Sequence, residues 1–377
     1  MTVLIIDDNE NISESLKLRI ESGVNRAVVH MHSDFKTAFN EVERLMPDVI
    51  VLDIFEGPEN EDGNPGDDVF LQVWARHFCP LIFYSALIQQ QHEDWAKHDF
   101  IRCCRKAMKS ESEIVGILND FQPHIETLRA VRLEAVTSIG RSLRDVCSVI
   151  WSESDDDDER NELIGRIVRR RVAAFMDGAE TGEKKLNPWE QYVYPPICPN
   201  LLTGDILKSS SSTNSADPSD YRVVLSPSCD LAHGKIDNVL VACCEKADSF
   251  LKAIELDGAA KPKLVKSLPK HLTADQKGGV ICLPNLQGKI PLMAVDLKKL
   301  ELIPLKDIDP QHDTSSGKFH RVASVDSPFR ERISFAFAQI STRPGLPDTD
   351  YSKMAESIAD NASHLTTTTG GGNAQGS

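Results

Sequence analysis

Mostly apolar runs alternate with longer amphipathic segments over the first third of the chain. The runs "VLIID", "AVVHMHS", "PDVIVLDIFEG", "PLIFYSA" and the weaker "FIRCCR" are typical of strands. The segments "ENISESLKLRIES", "DFKTAFNEVERLM", "GDDVFLQVWARHF" and "SESEIVGILNDF" place their apolar residues at helical spacing. Apolar strands that alternate with helices form a parallel sheet covered on both faces. The pattern therefore predicts an α/β doubly wound, flavodoxin-like domain over residues 1–122.

Charged and hydroxyl side chains follow the ends of these predicted strands. Asp7 and Asp8 end the first strand, Asp53 ends the third, Ser85 ends the fourth, and Lys106 follows the fifth. In a doubly wound sheet, ligands bind beyond the carboxyl ends of the strands, so these side chains should converge on one edge. Three carboxylates together need a cation, and hard oxygen ligands suit Mg²⁺. The sequence predicts a magnesium site at this edge.

In this order and spacing, the residues resemble those of a receiver domain, the phospho-accepting module of two-component response regulators. The resemblance implies that Asp53 is the phospho-acceptor and that it binds Mg²⁺ together with Asp7 and Asp8. It also implies that Ser85 and Lys106 bind the transferred phosphoryl group. A histidine kinase or phosphotransfer protein would be the donor. The likeness covers about the first third of the chain.

Three features depart from the family pattern. The loop after Asp53, "IFEGPENEDGNPGDD", is longer and more acidic than usual. Ala107 stands where the family places a proline after its lysine, with Lys109 a weaker alternative to Lys106. The family's aromatic switch residue before the lysine is absent, because this segment reads "IRCCRK", with Cys103 nearby. Phosphorylation is chemically feasible, but the sequence leaves the usual coupling to an aromatic residue open.

A helical connector is predicted over residues 123–186. One apolar seam of about two heptads runs along its first helix, at Val136, Ile139, Leu143, Val146 and Ile150. The seam could pack against neighbouring parts of the chain or form a homodimer. The acidic "SESDDDDER" predicts an exposed turn and helix start, and "NELIGRIVRRRVAAF" predicts a second helix, whose three arginines fit a solvated face. The sequence beyond it contains no helix-turn-helix pattern.

The sequence pattern predicts a β-rich domain over residues 187–350. Strand-like runs occupy 221–225 and 238–244, further strands lie in "GGVICLPNLQGKIPLMAVDLKKLELIPL", and "HRVASVDSPFRERISFAFAQI" predicts a strand, a loop and a helix. We expect a β-barrel or sandwich with a flanking helix. The pieces "SPSCDL", "SPFRER" and "RPGLP" resemble signatures of uncharacterised bacterial effector modules, although Arg330, Glu331 and Arg343 could equally form an internal ion-pair network. We expect residues 351–377 to form a partly disordered tail.

A turn-rich segment of this half carries Cys229, Asp230 and His233. One interpretation is a nucleophilic thiolate activated by His233 or His320 and oriented by Asp230. A second is metal ligation by Cys229 and His233 with Cys198 or His320, although the spacing is not a recognised zinc pattern. The third is a small thiol in a strand-end turn, where Asp230 caps backbone amides. The sequence leaves all three open.

Composition narrows the class of protein. The 377 residues carry a net charge of -15, and the pI near 5.2 argues against an obligatory nucleic-acid partner. No window is apolar enough for a membrane span, and the start lacks the features of a signal peptide. Nine cysteines without an export signal fit reduced thiols. We therefore expect a cytoplasmic, bacterial response regulator. The alternatives are a receiver-regulated enzyme centred on Cys229 and a non-DNA-binding adaptor or phosphate sink.

Overall fold

The computed structural model describes residues 1–55, 64–107, 110–153, 155–179, 185–212, 216–273, 278–311, 317–342 and 350–359. The chain forms two compact units, Met1–Lys184 and Lys185–Ser377. Four sequence predictions lie wholly or partly outside the described residues: positions 56–63 of the acidic loop after Asp53, the alternative lysine at 109, the "RPGLP" piece with its arginine at 343, and positions 360–377 of the tail. No helix in the described ranges has both the length and the apolar character to cross a membrane.

The first unit contains a five-stranded parallel sheet flanked by helices, in the strand order β2-β1-β3-β4-β5. This is the flavodoxin-like, doubly wound order, as the alternating pattern predicted. The strands are β1 Thr2–Ile6, β2 Val28–His32, β3 Val49–Leu52, β4 Leu81–Ser85 and β5 Ile101–Arg105. The helices are α1 Glu10–Gly23, α2 Ala38–Leu45, α3 Pro65–Arg76, α4 Gln90–Trp95, α5 Ser110–Glu153 and α6 Asp157–Ala179.

Buried side chains cover both faces of this sheet. Successive residues of β1 and β3 point to opposite faces, so Leu4 and Ile50 pack on one side while Val3 and Val49 pack on the other. Each face is then closed by helices, which explains why β3 and β4 are buried along their whole length. The two cores hold the carboxyl ends of the strands along one edge.

Helix α5 does not end near Pro123, where the sequence pattern placed the start of a connector. It continues as one helix to Glu153, with Pro123 inside it and exposed. A proline on the exposed side costs one backbone hydrogen bond, and water can solvate the freed carbonyl. Beyond Pro123, Ile125 packs into the core, and the Arg129 Nε donates to Asp48 Oδ1 at 2.6 Å. These contacts tie the extended helix to the sheet.

Helices α5 and α6 form an antiparallel hairpin in which Arg171 Nη2 pairs with Asp145 Oδ2 at 2.8 Å. Of the predicted seam, Ile150 is buried. Val136 is 60% exposed and Ile139 is 42% exposed. The hairpin therefore covers only part of the seam.

The second unit is built on an eight-stranded sheet in the order β10-β11-β9-β8-β7-β13-β12, with β6 paired to β13. The strands are β6 Tyr192–Val193, β7 Asp205–Ser209, β8 Tyr221–Val224, β9 Asn238–Glu245, β10 Val280–Leu283, β11 Met293–Pro304, β12 Ile308–Asp309 and β13 Phe319–Val325. The helices are α7 Ser228–Ala232, α8 Asp248–Ala253, α9 Lys261–Thr273 and α10 Phe329–Ser341. The β-rich prediction for this half is confirmed.

The strands of this unit join one sheet, whereas a sandwich would divide them between two. Neighbouring residues of β7, Ile206 and Leu207, belong to separate cores on the two faces, and α10 contributes Ile333 to the first of these. Inside the sheet, Asp205 accepts hydrogen bonds from the Arg321 Nη1 at 3.1 Å and from the Ser324 hydroxyl at 2.5 Å. This buried pair joins β7 to β13.

Candidate functional site

Asp7 and Asp53 lie side by side at the carboxyl edge of the parallel sheet, and Lys106 bridges them. The Lys106 Nζ donates to Asp7 Oδ2 at 2.7 Å and to Asp53 Oδ2 at 2.5 Å. The other oxygen of Asp53 accepts the backbone N–H of Ile54 at 2.7 Å. Both carboxylates are buried. The structure therefore brings together three of the residues that the strand ends predicted.

Burial and charge act in opposite directions on these groups. Burial raises the pKa of Asp7, and the hydrogen bond from Lys106 opposes that rise. Burial alone would lower the pKa of Lys106, but its hydrogen bonds to Asp53 and Asp7 outweigh that effect and raise it. Lys106 is therefore held as a cation, ready to face a negatively charged group bound beside Asp53.

The third carboxylate completes a group that suits a hard cation. Ligand oxygens of Asp7, Asp8 and Asp53 all lie within 4.8 Å of one another. Within the described part of the chain, this is the only cluster of three or more potential metal-binding side chains. Its donors are all carboxylates, which Mg²⁺ prefers over the nitrogen and sulfur ligands of zinc. The residues present therefore fit a magnesium ion.

Ser85 and the start of α5 border the same edge. Ser85 is buried at the end of β4, and its carbonyl accepts the backbone N–H of Lys106 at 2.9 Å. The preceding Tyr84 places its hydroxyl 2.9 Å from that of Ser110, the first residue of α5. Ser110 also donates to the carbonyl of Ala107 at 2.7 Å. The backbone around Lys106 is thus held by contacts from β4 and α5.

Helix α4 and the contact between its His92 and Asp67 were not predicted from the sequence. His92 on α4 is fully buried and lies 2.8 Å from Asp67 at the start of α3. Cys103, near the position of the absent aromatic residue, donates its thiol to the carbonyl of His92 at 3.5 Å. Helix α4 is only six residues long and its sequence, "QQHEDW", is polar. The one available signal was the pair of aromatic rings at helical spacing, His92 and Trp95.

The C-terminal residues singled out by sequence lie apart from any comparable cluster. Cys229 is exposed on α7, and its Sγ contacts Asp230 Oδ1 at 3.7 Å. His233 ends the same short helix, whereas His320 lies on β13, with its Nδ1 3.4 Å from the Ser210 hydroxyl. A thiolate at Cys229 would face the Asp230 carboxylate, which repels it. The carbonyl of Cys198 accepts a hydrogen bond from the Arg321 Nη2 at 2.5 Å.

Solved structures similar to this chain match about a third of it and nearly all of their own length. The signal receiver domain of a putative LuxO repressor from Vibrio parahaemolyticus is 14% identical over 35% of this chain and 95% of that one, with a TM-score of 0.28. A two-component response regulator from Cytophaga hutchinsonii is 20% identical over 33% of this chain and 96% of that one, with a TM-score of 0.26.

The N-terminal domain of an uncharacterized protein from Wolinella succinogenes is 21% identical over 34% of this chain and 98% of that one, with a TM-score of 0.28. No protein-family model matches the chain, and no curated protein matches it. Function is therefore inferred from the geometry at the sheet edge.

Proposed function

We propose that the chain is a response regulator that accepts a phosphoryl group on Asp53 from a histidine kinase or a phosphotransfer protein. The observation that carries this proposal is the bridge from Lys106 to Asp7 and Asp53 inside a three-carboxylate cluster. A buried carboxylate held beside a fixed cation, with an adjoining magnesium-type ligand set, is the equipment that phosphoryl transfer needs.

In this mechanism, the nucleophile is a side-chain oxygen of Asp53. The bond from phosphorus to the donor histidine nitrogen breaks as the bond from phosphorus to the Asp53 oxygen forms. The Lys106 ammonium contacts the phosphoryl oxygens and offsets their negative charge, and the Ser85 hydroxyl donates a hydrogen bond to one of them. Asp7, Asp8 and Asp53 would hold Mg²⁺, which supplies positive charge that lowers the repulsion between the carboxylate and the incoming group.

The test is the intact mass of the purified chain after incubation with Mg²⁺ and acetyl phosphate. We expect the mass to rise by one phosphoryl group in the natural chain, and to stay unchanged without Mg²⁺ or in Asp53→Asn. Asp94→Asn, which alters an exposed aspartate of α4, serves as a matched control and should be phosphorylated normally. A gain that persists in Asp53→Asn would place the acceptor elsewhere.

We propose that pairing of two chains through α5 accompanies this function. The favouring observation is the exposed apolar side of α5, where Leu133 is 70% exposed and lies near Val136 and Ile139. Packing these side chains against a second copy would remove them from water. Sedimentation of the natural chain and of Val136→Asp, with and without acetyl phosphate, tests this. Identical monomer behaviour in all four samples would contradict it.

We propose that the C-terminal unit is the output part of the protein. A receiver-regulated enzyme centred on Cys229 and a non-DNA-binding adaptor or phosphate sink remain two forms that this output could take. The exposure of Cys229 makes it easy to replace without disturbing the core. An adaptor should keep its function in Cys229→Ser, whereas an enzyme that uses the thiol should lose its activity.

A further inference from the structure

A hydrogen-bond hub around the buried His92 joins α3 to α4 beside the phospho-acceptor. The Nε2 of His92 lies 2.8 Å from Asp67 Oδ1. The second oxygen of Asp67 accepts from the side-chain amides of Gln91 at 2.7 Å and Asn64 at 3.0 Å. One carboxylate at the start of α3 thus accepts hydrogen bonds from three side chains, two of which belong to α4.

The backbone fixes the way in which His92 takes part. The N–H of Gln89 donates to the Nδ1 of His92 at 3.0 Å, so Nδ1 is an acceptor and carries no proton. The proton therefore sits on Nε2, from which it is donated to Asp67. Both ring nitrogens are occupied and the ring is fully buried. The imidazole cannot rotate or move away without breaking two hydrogen bonds.

The start of α3 lies directly against Asp53. The N–H of Gly66 donates to the carbonyl of Ile54 at 3.0 Å. A Cβ placed on Gly66 would fall 2.1 Å from the carbonyl oxygen of Asp53, which shows how closely the two backbones approach. Asp67 is the next residue. A change in the backbone at Asp53 would therefore reach the Asp67 carboxylate through a single residue.

The other side of the hub reaches strands β4 and β5. The His92 ring packs edge-on to Phe83 on β4, with the ring centroids 5.1 Å apart, and edge-on to Trp95 at 5.4 Å. Its carbonyl accepts the thiol of Cys103 on β5. Phe83 lies two residues before Ser85, and four residues separate Ser85 from α4. His92 thus contacts α3, β4 and β5 together.

We propose that the Asp67–His92 pair is the positioning element that carries the phosphorylation state of Asp53 to α4. This inference rests on the proposed function. Phosphorylation replaces the single negative charge of the Asp53 carboxylate by roughly -1.5 to -2 on a larger group, which pulls on Ser85 and shifts the start of α3. Because α4 follows Ser85 and is pinned to α3 through His92, it moves with them. The pair would take the place of the aromatic switch residue that is absent from the segment before Lys106.

The experiment follows the fluorescence of Trp95 in the full chain during phosphorylation by acetyl phosphate and Mg²⁺, with intact mass measured on the same samples. Trp95→Phe identifies the share of the signal that comes from this residue, since the chain has four tryptophans. Asp67→Ala removes the acceptor, and Asp67→Asn retains an oxygen that can accept from His92. Asp94→Asn, on the exposed side of the same helix, is the matched control.

We expect the natural chain and Asp94→Asn to show a Trp95 change that rises with the phosphorylated fraction. In Asp67→Ala, the mass gain should remain while the Trp95 change falls at least severalfold, and Asp67→Asn should recover part of it. A purely structural pair would lower stability without separating these two signals. An unaltered Trp95 change in Asp67→Ala, or none in the phosphorylated natural chain, would overturn the proposal.

Two further results keep the interpretation clear. If Asp67→Ala does not fold, as judged by circular dichroism, His92→Phe replaces it, since phenylalanine keeps an aromatic ring at this position but has no donor for Asp67. The same loss of the Trp95 change is then expected, and its persistence would overturn the coupling. If the natural chain gains no phosphoryl mass, the proposed function itself fails, and the mass measurement reports that separately.

Discussion

Replacing Gly66 by alanine should destabilise the chain and disturb the site at the same time. The added Cβ would lie 2.1 Å from the Asp53 carbonyl oxygen and 2.7 Å from the Ile54 Cα. Both are backbone atoms, which cannot rotate away. Overpacking of this kind costs about 1–3 kcal/mol, and alanine returns about 1 kcal/mol through its higher helix propensity. We expect a net loss of up to about 2 kcal/mol in the free energy of unfolding.

Gly116 provides the matched control because it lies in α5 and a Cβ there would meet no atom within 4 Å. Only the propensity difference applies, so Gly116→Ala should stabilise the chain by about 0.5–1 kcal/mol. Urea unfolding of both variants measures the two shifts. We expect them to have opposite signs.

The same variants test the contact between α3 and Asp53. A displacement of about 1 Å near reacting groups can lower a rate about a hundredfold, so Gly66→Ala should be phosphorylated by acetyl phosphate at least several times more slowly. Gly116→Ala should react at the natural rate. If Gly66→Ala were as stable and as reactive as Gly116→Ala, the close approach of α3 to Asp53 would be refuted.

Further predictions concern three other groups. Burial raises the pKa of Asp7, so protons compete with Mg²⁺ for this carboxylate at higher pH than they do at an ordinary aspartate. The Mg²⁺ affinity measured by titration calorimetry should therefore weaken as the pH falls from 7 towards 5. An affinity that does not change with pH would contradict this. Replacing Arg129, which is 49% exposed, by methionine leaves the buried Asp48 without its cation, and urea unfolding should show a loss of about 1–3 kcal/mol. Replacing Asp205 by alanine leaves the buried Arg321 without its carboxylate partner. The free energy of unfolding, measured by thermal or urea unfolding, should fall by about 3–5 kcal/mol. An unchanged free energy would mean that solvent reaches the guanidinium.

The site at the sheet edge could be predicted because its geometry depends on the order of elements. Parallel strands bring their carboxyl ends to one edge, so residues directly after Ile6 and Leu52 must be neighbours, however far apart they lie in sequence. Five apolar strands were recognisable, and their order predicted that Asp7, Asp53 and Lys106 would converge on one edge. The hydrogen-bond pattern between them required coordinates.

The hub at His92 was beyond sequence reasoning for a local reason and a non-local one. Helix α4 is a single polar turn and a half, too short for periodicity to identify. Its stability comes from tertiary contacts instead, chiefly the buried imidazole and its bond to Asp67, 25 residues earlier. The buried pair of Asp205 and Arg321, 116 residues apart, was hidden in the same way. Nothing in either local sequence marks these residues as partners.

The continuity of α5 changes how a signal could leave the first unit. A separate connector helix after residue 122 would have interrupted the link between the site and the later helices, but the helix that begins at Ser110 runs unbroken past Pro123. Its first residue is bonded to Tyr84 beside the site, and Arg129 is bonded to Asp48 before β3, at the opposite edge of the sheet. Helix α5 is about 66 Å long, and its first part packs against the sheet through Ile114, Leu118 and Ile125. If Asp53 accepts a phosphoryl group, as proposed, a shift at the start of this helix would be carried along it to the exposed apolar side chains beyond Arg129, including Val136.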